Sequence, residues 1–157
     1  MDDVILAIID LFKTNLEEGV YKDVYYGENR VPAEPDFPFV EVVPNRTIMR
    51  TRGTNSMMNE FSITVNIKDT LKASLTHDTD KEIVEHTQEM VKRMEARTDS
   101  IPDSDTILGI LHDNLKLSNT VHLNNDWDIN YQASEYNGSY ILVASVQMTA
   151  SLISLRS

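Results

Sequence analysis

The sequence has no cysteine. That excludes a disulfide framework, a thiolate metal site and a cysteine nucleophile. It fits a reducing compartment. Glycine is scarce, five in 157 residues. So few leave little room for a phosphate-cradling loop, and neither GxSxG, a P-loop nor GxGxxG occurs. Bases are also few, 14 against 25 acids, for a net charge of −11. That balance argues against a general nucleic-acid-binding surface. Long hydrophobic runs are missing too. The first apolar run, Val4 to Leu11, is interrupted by Asp10 and lacks a basic flank. It is far too short to span a bilayer and is not a secretory leader. Without a leader, the glycosylation patterns Asn45-Arg46-Thr47 and Asn137-Gly138-Ser139 carry little weight. The chain reads as cytoplasmic, with no membrane partner.

What is present suits an ordinary globular protein. The length predicts a single domain over residues 1–157, large enough to bury a core without staples. The apolar share of 41% and the charged share of 25% are close to globular norms. The charge is uneven. Residues 1–45 hold ten acids and three bases, whereas residues 46–72 hold five bases and two acids. A basic island inside an acidic chain can guide docking between identical subunits or onto an acidic partner.

Hydrophobic periodicity predicts the elements. Val4, Ile5, Ile8, Leu11, Phe12 and Leu16 form a helical stripe, capped by Asp2 or Asp3 and stopped at Gly19. Val20 to Tyr26 reads as a strand and residues 27–36 as an exposed loop. Phe37 to Pro44 reads as a strand bounded by prolines. Arg46 to Arg52 is a second strand or an extended arm, with a turn at Gly53-Thr54-Asn55-Ser56. Phe61, Ile63, Val65 and Ile67 alternate with polar residues as a half-buried strand. Thr79 and Glu82 make a capping box for a helix to about Arg97. A polar link over 98–105 precedes a short helix capped by Ser104. Trp127 to Ala133 and Leu142 to Leu152 alternate as strands around the hairpin dipeptide Asn137-Gly138. The fold class expected is α+β: a mainly antiparallel sheet with an N-terminal helix and one long plus one short middle helix packed on one face.

The chemistry-bearing residues do not assemble into a motif. His77, His86, His112 and His122 lack the paired helical spacing of a zinc protease. His77 beside Asp78 and Asp80 reads as an acidic cap before a helix. Asp99, Asp103 and Asp105 lack the glycine and closing glutamate of a calcium loop. No catalytic, cofactor-binding or metal-binding residue is expected. Two surface features stand out instead. Met57-Met58 is either an adaptable contact surface or core filling at a strand start. Arg46, Arg50 and Arg52, with Thr51 and Asn55, form a basic, turn-rich hairpin. It is either a projecting contact for an acidic neighbour, a solvated tip that protects a sheet edge, or a DNA contact. The polar faces of the last two strands are a second candidate surface.

The order of elements resembles the tail terminator (tail completion) proteins of long-tailed bacteriophages. The likeness runs from Val4 to Leu152: an amphipathic helix, a strand, the Phe37-Pro38-Phe39 strand, a basic hairpin, a capped middle helix and a C-terminal hairpin. The loop at 27–36 and the short helix at 104–112 are not matched by it. The resemblance implies a structural virion protein, not an enzyme, that forms a hexameric ring. Such rings cap the tail tube, end its polymerisation and present a surface for head–tail joining. The implied partners are further copies of the chain, the tail tube protein and head–tail connector proteins, with genomic DNA passing through the lumen unbound. The implied place is the tail or neck of the virion, assembled in the host cytoplasm. The basic hairpin (Arg46, Arg50, Thr51, Arg52, Asn55, Met57, Met58) would then touch the next subunit or the tube. A head–tail connector or neck adaptor is the nearest alternative. From other classes, a metal-dependent hydrolase and a monomeric module that binds peptide along a sheet edge also remain open.

Overall fold

The computed structural model describes residues 1–27, 37–51, 56–72, 79–118, 121–124, 126–136 and 139–155. The elements run α1 (Asp2–Asn15), β1 (Val24–Tyr26), β2 (Phe39–Thr51), β3 (Ser56–Lys72), α2 (Thr79–Glu95), β4 (Arg97–Thr98), β5 (Ile101–Pro102), α3 (Ile107–Asp113), β6 (Val121–Leu123), β7 (Asp128–Tyr136) and β8 (Ser139–Leu155). Six strands form one curled sheet in the order β1-β2-β3-β8, and β6 and β7 share the far edge of β8. β4 and β5 are a separate two-stranded hairpin.

The expected fold class is corrected in three respects. Strands hold about half of the structure and helices under a third, so it is mostly β. The cause is strand length: β3 and β8 each run 17 residues and pair along all of it. The sheet is also mixed, not antiparallel. β1 lies parallel to β2, with Val24 opposite Val40 and Tyr26 opposite Val42. A parallel neighbour needs a crossover of about a dozen residues, and residues 27–38 supply that length. Finally, the helices are not ranged together on one face. α1 leans on β1 and β2, and α2 on β3, β7 and β8. α3 is held between α1, α2 and β5. Its residues Ile107 to Leu111 are buried without a break. A helix with apolar neighbours on every side cannot lie at a surface layer.

The Pro-bounded strand and the following arm are one strand. β2 runs through Pro44, and the register shifts between Pro44 (opposite Ile63) and Arg46 (opposite Ser62). Asn45 is the extra residue of a β-bulge, where a proline is tolerated. This bulge decides the fate of the arginines. Val40 and Val42 face the core, and strict alternation would send Arg46, Ile48 and Arg50 there too. One inserted residue moves them to the polar face. Thr47 now pairs with buried Phe61 on the core side.

Other boundaries also differ from expectation. α1 ends at Asn15, four residues before Gly19, because Leu16 turns extended with ψ of 144°. Asp2 and Asp3 lie within its first turn and do not cap it through a side chain. β1 starts at Val24, not Val20. The short helix is capped by Thr106, whose Oγ1 accepts from Gly109 N at 3.0 Å, and not by Ser104. The polar link contains the β4–β5 hairpin, with Asp99 and Ser100 at positive φ. The side chain of Thr79, residues 27–36 beyond Gly27, the turn at 53–55 and Asn137-Gly138 lie outside the described residues. The core closes over α1 residues Ile5, Ile8 and Phe12, α2 residues Met90 and Met94, α3, and the inward face of β2, β3 and β8.

Candidate functional site

Beyond the bulge the sheet continues as an arm. Its strands are residues 46–51 of β2, 56–62 of β3 and 149–155 of β8, which pair row by row. Directly opposed residues share a face. On the polar face, Arg46 opposes Ser62, Ile48 opposes Glu60, and Arg50 opposes Met58. On the core-side face, Met49 opposes Asn59 and Thr51 opposes Met57. Arg46, Arg50 and Thr51 are exposed. Met57 is 37% exposed and Met49 64%, while Met58 is half-buried. None of these methionines belongs to the core. Neither Arg46 nor Arg50 makes an ion pair with a described residue. Arg52 and Asn55 lie outside the described residues. The two arginines and the two methionines therefore share one arm, but Met57 stands on the face opposite to Arg46, Arg50 and Met58. Met49, which the residue pattern did not single out, is the most exposed apolar side chain among the described residues of the arm.

The polar face below the arm is stitched by side chains. Asn124 Nδ2 donates to Thr149 Oγ1 at 2.6 Å, and Asn45 Nδ2 to Thr64 Oγ1 at 2.7 Å. At its centre Glu41 is 2% exposed. Its Oε1 accepts from Asn66 Nδ2 at 2.8 Å and pairs with Lys68 Nζ at 2.7 Å. Asn66 Oδ1 in turn accepts from Ser145 Oγ at 2.6 Å. Glu41, Asn66 and Ser145 form one row across β2, β3 and β8. The alternation of Glu41 with Val40 and Val42 signalled the face but not the burial.

A groove of about 340 Å³ lies between the end of α1, α2 and the turn before α3. Its floor holds Tyr21 and Arg93. The guanidinium carbon of Arg93 sits 5.9 Å from the Tyr21 ring centroid. Arg93 Nη1 stands 3.6 Å from Asp69 Oδ2, beyond hydrogen-bond reach, and Nε 3.7 Å from Glu89 Oε1. Burial pushes the Tyr21 hydroxyl up to about 12, opposed by Arg93 and helped by Asp69, Asp105 and Glu89. Tyr131 donates to Glu95 Oε2. Its hydroxyl is also raised, first by burial and then by that carboxylate. A raised tyrosine holds its proton longer in the folded chain. Its contribution is complete below pH about 10 and is lost as pH rises toward the folded value. For Tyr21 this amounts to roughly 3 kcal/mol. The melting temperature is thus expected to fall between pH 10 and 12, and Tyr21→Phe to flatten that fall. An unchanged pH slope in the variant would refute the assignment.

Among the described residues, no group of three or more His, Asp or Glu is placed to hold a metal ion. His86, His112 and His122 are exposed and separate. Asp103 Oδ1 accepts from Thr98 Oγ1 at 2.7 Å, while His77 and Asp78 lie outside the described residues. No described helix is long and apolar enough to cross a membrane. No protein-family model matches the chain, and no curated protein matches it.

Proposed function

We propose that this chain is a structural subunit of a bacteriophage tail or neck, a tail-terminator-like protein that caps the tail tube as a ring. The ring ends tube polymerisation and offers its free side to head–tail connector proteins. The observation that carries the reading is the arm: a basic projection, built by three paired strands and a bulge, on a chain of net charge −11. A projection of one sign on a body of the other is suited to repeated self-contact. The element order supports the reading as well: helix, short strand, two long paired strands with arginines in the first, middle helix, C-terminal hairpin. The acidic balance suits a lumen through which DNA slides, because like charge disfavours adhesion. The chain carries no catalytic role in this reading.

Native mass measurement across a concentration series is the test, combined with co-sedimentation with tail tubes. A discrete oligomer, hexameric in the ring reading, or capture by tubes is expected. A chain that stays monomeric at high concentration and does not bind tubes overturns the proposal.

A further inference from the structure

Two surface stripes of the molecule match each other in charge pattern. The first is on the arm: exposed Arg46, half-buried Ile48 and exposed Arg50 follow one another on the polar face of β2, base, apolar, base, with half-buried Glu60 across from Ile48 on β3. At about 3.4 Å per residue the two arginine positions are roughly 14 Å apart. The second is on α1. Its core face is Val4, Ile5, Ile8, Ile9 and Phe12, which leaves Asp3, Leu6 and Asp10 on the outward face. All three are exposed, Leu6 by 51%. Their spacing of three and four residues puts them on one stripe, acid, apolar, acid. At 1.5 Å per residue its ends are roughly 10 Å apart. Arginine side chains easily span the difference. Neither Asp3 nor Asp10 makes an ion pair with a described residue.

These stripes cannot meet within one molecule. α1 packs on the core side of the sheet, and Asp3, Leu6 and Asp10 point away from it. Arg46, Ile48 and Arg50 are on the opposite face of the same sheet. We propose that the arm of one copy docks on α1 of a second copy, with Arg46 and Arg50 against Asp3 and Asp10 and Ile48 against Leu6. The two surfaces differ, so the contact is head-to-tail. Repeated head-to-tail contacts close into a ring when the rotation per subunit divides the circle. This proposal rests on the ring reading and specifies its subunit contact.

Two full-length variants test it by native mass measurement, R46E/R50E and D3K/D10K. All four side chains are exposed, so the fold should persist, and thermal melts followed by circular dichroism check this. Each variant alone is expected to lose the wild-type oligomer, with association weakened at least about tenfold. Mixed in equal amounts they are expected to recover it, since each then supplies the charge the other lacks. A merely structural role for these residues would not produce rescue by mixing. If the folded variants keep the wild-type mass, or stay dissociated after mixing, this contact is overturned while the ring reading stands on the wild-type mass. If wild type itself is monomeric at high concentration, both are overturned.

Discussion

Replacing Gly109 by alanine is expected to remove about 4 kcal/mol or more of stability, a large share of the roughly 5–15 kcal/mol that holds a domain folded. A Cβ at this position would lie 1.8 Å from the carbonyl oxygen of Asp103 and 2.6 Å from its carbon. That oxygen cannot swing aside. It accepts from Thr106 N at 3.0 Å and from Thr106 Oγ1 at 2.6 Å, and Asp103 N is itself tied to Ala96 O at 2.7 Å. Thr106 Oγ1 also caps α3 through Gly109 N. The turn and the helix start are one hydrogen-bonded unit, pressed together where glycine leaves space. Overpacking usually costs about 1–3 kcal/mol because side chains can shift; here the obstacle is backbone. Gly19→Ala is the control. Nothing lies within 4 Å of a Cβ there, but φ is +86°, so only backbone strain of about 1 kcal/mol is expected. Urea titration of both variants separates the two mechanisms. Equal losses would show that the α3 turn relaxes freely.

The second large effect is expected at Glu41. Glu41→Ala should cost about 3 kcal/mol, because it leaves Lys68, 18% exposed, without its counter-charge and Asn66 without its acceptor. The half-open position of Lys68 keeps the loss at the lower end of the range for buried pairs, since the ammonium can reach water. Glu41→Gln should cost less, as the amide oxygen still accepts from Asn66. The double variant Glu41→Leu with Lys68→Met should recover the part of the loss that comes from the unpaired Lys68, because both charges then leave together, while the lost acceptor of Asn66 stays as a smaller deficit. A double-mutant cycle measured by urea titration checks this. Additive losses would mean that Lys68 and Glu41 do not act on each other. The network ties β2, β3 and β8 together in the body of the sheet, on the same face as Arg46 and Arg50.

Much of the fold was legible because strand and helix periods are local. The stripe from Val4 to Phe12, the alternation of Phe61 to Ile67 and that of Leu142 to Leu152 each state which side faces a core. The basic island was legible as composition, but not that Arg46 and Arg50 continue the Pro-bounded strand. What the chain could not announce was pairing. Whether β1 runs parallel or antiparallel depends on where residues 27–38 return the chain, not on the residues of β1. The polar face hid Glu41 for the same reason: a glutamate between two valines reads as solvated until Lys68 and Asn66 arrive from the next strand.

The arm shows where the division falls. Spacing alone puts Arg46, Ile48 and Arg50 on one side of an extended segment, since side chains alternate with a period of two. Composition alone makes the surrounding chain acidic. Which side that is depends on the pairing with β3. The extra residue at Asn45 becomes visible as a bulge only when Ile63 and Ser62 stand opposite Pro44 and Arg46, and that one residue turns the arginines from the core to the open face. In the same way, Leu6 differs from Ile5 only in its angle around α1, and the packing of α1 on the sheet leaves it outside. Local spacing sets what lies together; long-range packing sets what it faces, because burial is a property of the neighbour that covers a side chain.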